Sequence, residues 1–574
     1  MEKRIKYLSF LILLLTGVLV IRLFERGVVD SGSFRAVADK QYYTKIDQPA
    51  KRGEIFIKDN DSTDLIDQSK AGLFPVASNL ELFDVSVIPK NITDKADTAK
   101  KLAPLIQLEE EELFSKINNN KPYLPPLKKR LTKEEADKIA NLKLKGVFLD
   151  GQFSRVYPER EFLSQALGFV DYDSNGKYGL ENFYDGLLKG DGGQVTGIKD
   201  NLGRVVKIEQ SEPGKSGADV VLTIDRSIQY MAEKKLKEGI ERYGSDGGSV
   251  IIMDPKTGAV LAMASSPSYD PNKFNEVKSE DQSVFLNPAI SSNWEPGSIF
   301  KPVVVSAAIQ ANLLQPDSKP SPEEGGFSNS ISVDGYEIHN ALDKPYGYET
   351  VTQILENSDN IGMVWVANKT GNDLLSQFIN KIGFNVKTGI DLSGESPGQV
   401  RPVRQWRDVN RATISFGQGI SVTPIQIIQA YGAIANGGKM VKPHLLDKVI
   451  SSNDEKKYEN SETIDVMSKD TAKKVADMLV SVVVNGHGKP AQVEGYRVAG
   501  KTGTAQVPKS DGGYEENSFI GSFAGFAPAD DPKFVMLVKL NKPKNVEWAE
   551  TSAAPIFGEI ANWLLNDYLK IPKQ

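Results

Sequence analysis

A serine and a lysine three positions apart are the pair best suited to chemistry in this 574-residue sequence. If a helix begins at Ser298, Lys301 lies one turn later on the same face, and the hydroxyl sits at the positive end of the helix dipole. A free hydroxyl is a weak nucleophile at neutral pH, so it needs a neighbouring base. A desolvated lysine beside a second cation has a pKa low enough for that task. The pair therefore predicts a serine nucleophile.

Two further motifs complete the candidate chemistry, although each occurs in several copies. Lys-Thr-Gly occurs four times, and only the copy at Lys501 opens a sheet strand. A second Ser-x-x-Lys, at Ser174, falls in a turn and is interpreted as unrelated to the chemistry. Taken alone, Ser358 and Asn360 would suit a polar helix cap, so the order of the three motifs carries the interpretation. The ordered set is Ser298-x-x-Lys301, Ser358-Asp359-Asn360 and Lys501-Thr502-Gly503.

This ordered triple matches the pattern of β-lactamases and penicillin-binding proteins. The second half of the chain resembles the transpeptidase domain of penicillin-binding proteins. That resemblance implies an α/β (α+β) fold with an antiparallel sheet flanked by helices, and a serine-type D,D-transpeptidase of peptidoglycan synthesis. The motifs that carry it are Pro296-Gly297-Ser298-Ile299-Phe300-Lys301-Pro302, Ser358-Asp359-Asn360, Phe416-Gly417-Gln418-Gly419, Gly500-Lys501-Thr502-Gly503-Thr504-Ala505-Gln506 and Gly525-Phe526-Ala527-Pro528.

The resemblance implies roles for the first two motifs. Ser298 is expected to be the nucleophile that forms the acyl-enzyme, with Lys301 as its general base. Ser358 is expected to relay protons toward the leaving and incoming amines, and Asn360 to orient the substrate amide. The substrate would be a stem peptide that ends in D-Ala-D-Ala and releases D-Ala, and β-lactams would acylate the same serine.

The third motif is expected to bind substrate. By resemblance, Lys501 supplies the second cation and, with Thr502 and Thr504, holds the substrate carboxylate. Gly503 is expected because a side chain there would block a peptide lying against the strand. The backbone N–H groups of Ser298 and Thr504 would form the oxyanion hole.

Composition restricts the other kinds of chemistry. The chain has no cysteine, which excludes disulfides, thiolate zinc sites and cysteine nucleophiles. The three histidines, His339, His444 and His487, are not spaced for a helical zinc site, and His487 between two glycines is interpreted as a turn residue. No metal or cofactor is therefore expected. A net charge of −6 argues against a nucleic-acid partner.

A membrane anchor is predicted at the N-terminus. Basic residues precede an uncharged run that starts at Tyr7, and the stretch 7–24 is near the lower length limit for a span. The positive charge places residues 1–6 in the cytoplasm and the bulk of this single-pass cell-membrane protein outside. The alternative is a cleaved signal peptide, for which Ala36-Val37-Ala38 has the small-x-small form but lies well beyond the apolar run.

Residues 30–217 resemble the non-catalytic pedestal, a dimerisation-type domain, of class B penicillin-binding proteins, and residues 218–570 form the expected transpeptidase domain. One departure is Lys58-Asp59-Asn60-Asp61, where the family usually has Asp-Arg-Asn/Asp-Gly. This departure lies in the pedestal, far from the motifs expected to act in catalysis. A structural polar cluster is expected from the pedestal motifs Arg52-Gly53-Glu54-Ile55, Arg155-Val156-Tyr157-Pro158 and Gly179-Leu180-Glu181.

Local patterns predict the elements that must position these residues. Thr132 and Glu135 form a capping box for a helix with Gly146 as its stop, and Asp225 caps a helix that stops near Gly244. Strands at both ends with helices between them predict one antiparallel sheet with helices on both faces. The strands are predicted over 249–253, 259–264, 496–507, 519–526 and 534–540, and a terminal helix over 554–569.

Other functions that share the serine chemistry stay open. A class A β-lactamase would need a glutamate that activates water, and no Glu-x-x-x-Asn lies between Ser358 and Lys501. A D,D-carboxypeptidase would use the same residues with water as the acceptor. A bifunctional class A protein would need a glycosyltransferase domain where the pedestal motifs stand. A non-enzymatic β-lactam sensor would be expected to lack a motif residue or to carry a cytoplasmic signalling tail.

The resemblance also implies partners and a cellular role. The partners are stem peptides, β-lactams, the membrane, a polytopic peptidoglycan glycosyltransferase and divisome proteins. A division-type role is favoured over an elongation-type role by the compact pedestal and by Asn201-Leu202-Gly203-Arg204-Val205-Val206.

Overall fold

The computed structural model describes residues 2–29, 32, 43–48, 50–59, 71–121, 124–199, 205–212, 214–451, 454–460, 462–509 and 513–573. Residues 36–38, 60–61 and 201–204, which carry parts of the sequence-based predictions, lie outside the described residues. The chain divides into two compact units. The first comprises Met1–Arg52, Glu81–Phe153 and Lys189–Gly217, and the second comprises Gly53–Leu80, Ser154–Leu188 and Ala218–Gln574.

The N-terminal helix is long and apolar enough to cross a membrane. It runs over Glu2–Phe24 and continues as a π-helical turn over Glu25–Val29. Within Glu2–Val28, an apolar window of 18 residues is not buried against the protein. At 1.5 Å per residue this helix is about 40 Å long, which exceeds a hydrocarbon core of about 30 Å. The predicted anchor therefore falls on a helix of sufficient length.

The first unit also contains a small antiparallel sheet and three helices. Tyr43–Gln48, Gly193–Lys199 and Val205–Glu212 pair in that order. Aliphatic side chains of the helices form a separate core with the neighbouring strands. Those elements are the helices Lys95–Ile106, Glu110–Ile117 and Lys133–Asn141, the strand Lys128–Leu131, the end of the strand Leu73–Val87 and the start of the strand Val147–Val156.

The helix predicted after Thr132 is present but shorter than expected. The Thr132 side chain accepts a hydrogen bond from the Glu135 N–H, and Glu135 bonds back to the Thr132 backbone, which is the predicted capping box. The helix ends at Asn141, so the prediction that it stops at Gly146 is wrong. Gly146 instead forms a tight turn with φ +82°, where a Cβ would lie 2.8 Å from Ile92 Cγ1.

The centre of the second unit is a five-stranded antiparallel sheet. Its strands lie in the order Val260–Ser266, Gly247–Met253, Phe534–Asn541, Tyr514–Ala527 and Ala499–Pro508, so Ala499–Pro508 is an edge strand. That edge adjoins the segment that carries Ser298, because a Cβ on Gly297 would lie 3.2 Å from the Thr504 carbonyl oxygen. The strands are β1 (Gly247–Met253), β2 (Val260–Ser266), β3 (Ala499–Pro508), β4 (Tyr514–Ala527) and β5 (Phe534–Asn541).

Alternate residues of this sheet face opposite layers of helices. In β1, Val250 and Ile252 belong to one core with the helix Arg226–Tyr243, and the intervening Ile251 belongs to another core with the helix Lys301–Gln310. The predicted antiparallel sheet with helices on both faces is confirmed. The other helices are Ser164–Leu167, Gly179–Phe183, Asp185–Leu188, Pro288–Ser291, Val351–Glu356, Asn360–Thr370, Asn372–Lys381, Asp408–Ser415, Pro424–Ala435, Lys469–Asn485 and Ala553–Trp563.

A further sheet of this unit contains the strand that ends at Asp225, the predicted helix cap. Asp225 accepts hydrogen bonds from the N–H groups of Ser227 and Ile228, and Gly244 ends the helix at φ +64°. Both ends of that helix are therefore as predicted. The sheet orders the strands Asp454–Lys457, Leu446–Ser451, Asp219–Asp225, Ile55–Lys58 and the start of Leu73–Val87.

The predicted polar cluster of the pedestal motifs is present in the second unit. Arg155 Nε donates to Glu181 Oε1 at 2.6 Å, and Arg155 Nη1 donates to the Gly53 carbonyl at 2.7 Å. The Tyr157 hydroxyl donates to the same carboxylate at 3.2 Å. The side chains of Arg155, Tyr157 and Glu181 are buried, so the cluster joins the three motifs through one ion pair and two further hydrogen bonds.

Candidate active site

Ser298 lies in a tight turn that leads directly into a helix. Gly297–Phe300 forms a single 3₁₀ turn, and the α-helix Lys301–Gln310 follows without a break. The Lys301 N–H donates to the Ser298 carbonyl, and an i→i+3 bond of this kind aligns the two side chains. The predicted same-face pairing is present, although α-helical geometry begins at Lys301 and not at Ser298.

A glycine-rich segment supports the serine turn. Gly297 has φ +59°, and its N–H donates to the Gly417 carbonyl at 3.0 Å. A Cβ on Gly417 would lie 2.1 Å from the Gly297 carbonyl oxygen, so only glycine permits this approach. Glu295 accepts hydrogen bonds from the Gly419 N–H and the Tyr514 hydroxyl, each at 2.9 Å. Backbone contacts thus fix the position of the candidate nucleophile.

The Ser358 hydroxyl connects the candidate nucleophile to two lysines. Its Oγ lies 2.9 Å from Ser298 Oγ, 3.2 Å from Lys301 Nζ and 3.1 Å from Lys501 Nζ. In the part of the chain that the structure describes, no hydrogen bond joins Ser298 Oγ directly to Lys301. Ser358 has φ +54°, a left-handed conformation that is strained for serine and typical of functional sites.

Lys301 is fully buried and held by oxygen atoms. Besides the Ser358 hydroxyl, its Nζ donates to the Ser358 carbonyl at 2.6 Å and to Asn360 Oδ1 at 2.9 Å. Burial lowers the pKa of Lys301 well below its ordinary value, the charge of Lys501 lowers this pKa further, and the charge of Asp359 opposes both effects. Asn360 Nδ2 donates to a backbone carbonyl at 2.9 Å. Asn360 therefore orients the lysine amine as well as lining the groove.

The third motif lies on the edge strand β3. Lys501 is fully buried, and its Nζ donates to the Thr502 carbonyl at 3.2 Å as well as to Ser358. Burial lowers the pKa of Lys501 to about 7, and the charge of Glu550 acts in the opposite direction. Thr502 and Thr504 line the groove. Both lysines therefore donate to one hydroxyl while being withdrawn from solvent.

Gly503 is required for a reason other than the one expected. A Cβ there would lie 2.8 Å from Ser522 Oγ, 2.9 Å from Ile299 Cγ2 and 3.0 Å from the Pro296 carbonyl oxygen. The glycine therefore lets the turn that carries Ser298 pack against β3. The expectation that Gly503 makes room for a bound peptide is wrong, because protein atoms already occupy that space.

A groove of about 280 Å³ opens at Ser298. Five of the predicted site residues line it, namely Ser298, Ser358, Asn360, Thr502 and Thr504, whereas Lys301 and Lys501 are buried. Sequence reasoning missed several other lining residues, because none of them belongs to a spaced motif. These are Ala341, Leu342, Tyr346, Asn357, His487, Trp548 and Glu550.

His487 lies in a turn, as predicted, but its side chain also forms part of the groove wall. Its Nδ1 lies 2.7 Å from Glu550 Oε2. A Cβ on the preceding Gly486 would lie 2.4 Å from the Glu356 carbonyl oxygen. The glycine thus brings the turn close to the helix Val351–Glu356. The only signal in the sequence was a histidine between two glycines.

Two family profiles match this chain. Residues 248–562 match the penicillin binding protein transpeptidase domain, which spans more than half of the chain. The chain belongs to the penicillin-binding protein transpeptidase family. Residues 47–222 match the penicillin-binding protein dimerisation domain. The prediction of a class B penicillin-binding protein, with both of these domains, is therefore confirmed.

Similar proteins agree with this assignment over most of the chain. Stage V sporulation protein D of Bacillus subtilis is 37% identical over 84% of this chain and 75% of its own length. Peptidoglycan D,D-transpeptidase FtsI of Escherichia coli K12 is 31% identical over 86% of this chain and 81% of its own length. The crystal structure of penicillin binding protein 3 from Mycobacterium tuberculosis complexed with aztreonam has a TM-score of 0.70 at 28% identity, and covers 92% of this chain and 98% of that one. The predicted penicillin-binding protein fold is thus confirmed.

Proposed function

We propose that this chain is a peptidoglycan D,D-transpeptidase that cross-links stem peptides through an acyl-enzyme on Ser298. The observation that carries the proposal is the Ser358 hydroxyl, which contacts the Ser298 hydroxyl and the amines of Lys301 and Lys501. This arrangement supplies a nucleophile, a proton acceptor and a cation at one groove.

Acylation begins when Ser298 Oγ attacks the carbonyl carbon between the two terminal D-alanines. The Ser298 proton passes through the Ser358 hydroxyl to the Lys301 amine, whose lowered pKa favours the neutral form that accepts it. The C–O bond to Ser298 forms, the C–N bond breaks, and the leaving nitrogen of D-Ala takes the proton by the same route. Lys301 is thus the general base and acts through Ser358.

Groups on β3 bind the donor peptide. Lys501, Thr502 and Thr504 hold the carboxylate of the terminal D-Ala, and Asn360 orients the substrate amide. The N–H groups of Ser298 and Thr504 form the oxyanion hole, where each donor stabilises the transition state by roughly 3 kcal/mol. Three of these side chains, Asn360, Thr502 and Thr504, line the groove, which supports this assignment.

The acceptor in the second half of the reaction is the amine of a neighbouring stem peptide. Its neutral nitrogen attacks the ester carbon, the C–N bond forms, the C–O bond to Ser298 breaks, and the proton returns to Ser298 Oγ through Ser358. Between Ser358 and Lys501 the sequence lacks the Glu-x-x-x-Asn pattern expected of a water-activating glutamate. Water is therefore a weak competitor, and the ester formed by a β-lactam persists.

The same proposal places the chain in the cell membrane. Residues 1–6 are cytoplasmic, 7–24 span the membrane, 30–217 form the pedestal, and 218–570 form the catalytic domain outside. Basic residues before the apolar helix support this orientation. The partners would be a polytopic glycosyltransferase and divisome proteins.

The cellular role is tested by depletion of this protein. A division-type role predicts filamentous cells, whereas swollen cells would support a role in lateral wall growth.

Labelling with a fluorescent penicillin, followed by mass mapping, tests the catalytic assignment. One adduct is expected, on the peptide that contains Ser298, with slow loss in buffer and amide product when a stem-peptide acceptor is supplied. Release of D-Ala without any amide product would support a D,D-carboxypeptidase. Rapid turnover of penicillin would support a β-lactamase. Labelling at another residue would contradict the proposal.

A further inference from the structure

The groove wall contains one pair of ionisable side chains, Glu550 and His487, that the chemistry above leaves unused. Within the described part of the chain, Glu550 is the only carboxylate among the lining residues, and its side chain is 39% exposed. His487 Nδ1 lies 2.7 Å from Glu550 Oε2. A carboxylate only accepts hydrogen bonds, so Nδ1 carries the hydrogen and orients the carboxylate.

Both members of this pair are connected to the elements that carry the catalytic groups. Glu550 follows Ala549, whose N–H donates to Thr504 Oγ1 at 3.1 Å. The N–H of His487 donates to the Glu356 carbonyl at 3.3 Å, in the last residue of the helix that leads to the second motif. The carboxylate is thus held in a defined place relative to the nucleophile.

Charge indicates what such a carboxylate would bind. The cationic groups that contact Ser358, next to the nucleophile, are the buried amines of Lys301 and Lys501, and the charge of the buried Asp359 acts on Lys301. An alkyl amine has a pKa of about 10, so an acceptor amine arrives as an ammonium ion that these lysines disfavour. Glu550 is close enough to act on the pKa of Lys501. It is therefore also placed to offset positive charge in the groove.

We propose that Glu550, oriented by His487, binds the primary ammonium group of the acceptor stem peptide before transfer. This subsite rests on the proposed transpeptidase function. The bound ammonium loses one proton to water, the neutral nitrogen attacks the ester on Ser298, and its second proton passes to Ser298 Oγ as the C–O bond breaks. Glu550 contacts the substrate, and His487 is a positioning residue.

The test measures how one acyl-enzyme partitions between acceptors. The full chain is given an amine-free N-acyl-D-alanyl thioglycolate as donor, with glycinamide as a cationic acceptor or hydroxylamine as an acceptor that is uncharged near neutral pH. All products arise from the same ester, so the ratio of acceptor product to hydrolysed product reports the acceptor step alone. Any effect of Glu550 on acylation through Lys501 cancels in that ratio.

The variant Glu550→Gln is expected to need about tenfold more glycinamide for the half-maximal ratio. Its response to hydroxylamine is expected to change much less, because hydroxylamine carries no charge for the carboxylate to bind. His487→Phe should show a smaller shift with the same preference between acceptors. Glu547→Gln is the matched control, since Glu547 is exposed and is not among the lining residues.

Three results would overturn the subsite. The first is an unchanged glycinamide response in Glu550→Gln, and the second is an equal shift for both acceptors. The third is a defect in acylation alone, seen only when the amine-free donor is replaced by one that carries a side-chain amine. That result would assign Glu550 to the donor peptide. Failure of the wild-type chain to form any ester on Ser298 appears before an acceptor is added. That failure would contradict the proposed function, and the subsite with it. Because it is seen without any acceptor, it is distinguishable from the three results above.

Discussion

Arg155 and Lys301 are both buried cations of the second unit, but their surroundings differ. The Arg155 side chain, 3% exposed, donates to the carboxylate of Glu181 at 2.6 Å, so the two charges compensate each other. In the described part of the chain, the hydrogen bonds of Lys301 and Lys501 go to uncharged oxygens. Burying a charge without such a partner is costly, and the amine responds with a lowered pKa.

This difference separates a structural cluster from a chemical one. The pair of Arg155 with Glu181 joins segments of the fold. The lysine cluster, formed by Lys301, Lys501 and Ser358, holds amines with lowered pKa values, which favours the proton transfers that acyl transfer requires. Substitutions in the lysine cluster should therefore affect chemistry, and substitutions in the arginine cluster should affect stability.

The largest effect is expected at the nucleophile. Ser298→Ala should abolish covalent labelling by penicillin, because it removes the hydroxyl that lines the groove and contacts the Ser358 relay. Labelling is measured by fluorescence after denaturing electrophoresis. Ser174→Ala is the control, because Ser174 belongs to the other Ser-x-x-Lys motif and is exposed. Equal labelling of Ser298→Ala and the wild type would show that a residue other than Ser298 is the nucleophile.

The next effect in size is expected at the buried base. Lys301→Met should lower the acylation rate about 10²–10⁴-fold, the usual contribution of a general base. The rate is followed by stopped-flow or quenched labelling across neutral pH. Lys177→Met, in the exposed copy of the motif, should keep the wild-type rate. A Lys301→Met rate equal to that of the wild type throughout would refute the role of Lys301.

The arginine cluster should respond in stability and not in rate. Arg155→Ala removes the guanidinium that donates to Glu181 at 2.6 Å, and breaking a buried pair in this way costs about 3–5 kcal/mol. The free energy of unfolding is measured by denaturant titration, and the acylation rate is expressed per folded molecule. Arg404→Ala, an exposed arginine, should change stability by less than about 0.5 kcal/mol. A large loss of acylation rate in fully folded Arg155→Ala would break the distinction between the clusters.

The residues of the two clusters and of the groove could be predicted from the sequence only in part. Ser298 and Lys301 could be found because their spacing is local, and the polar cluster because its motifs resemble those of a known family. Glu550 and His487 could not be found, because they are 63 positions apart and meet only through tertiary packing. The expected reason for Gly503, room for a bound peptide, was wrong because Ile299 also meets Gly503 only through tertiary packing.

The smallest effect concerns Lys501 and has the opposite sign to that of Arg155. Its folded-state pKa is about 7, whereas an unfolded lysine has a pKa of about 10.4. Between these values the unfolded chain binds more protons, so this group makes stability rise with pH and imposes its full penalty below about pH 7. An apolar side chain of similar volume removes that penalty.

Lys501→Met should therefore be more stable than the wild type by roughly 1–4 kcal/mol near pH 6, the range seen when apolar residues replace buried charges. The advantage should shrink as pH rises toward the unfolded pKa, because the wild-type amine becomes neutral in the folded state. The same variant should acylate slowly, since it loses a cation of the groove. Unfolding titrations at acid and alkaline pH measure the difference, and Lys387→Met, in an exposed Lys-Thr-Gly copy, provides the reference. Equal stability of Lys501→Met and the wild type at every pH would mean that Lys501 is compensated as fully as Arg155, and the contrast between the two clusters would fail.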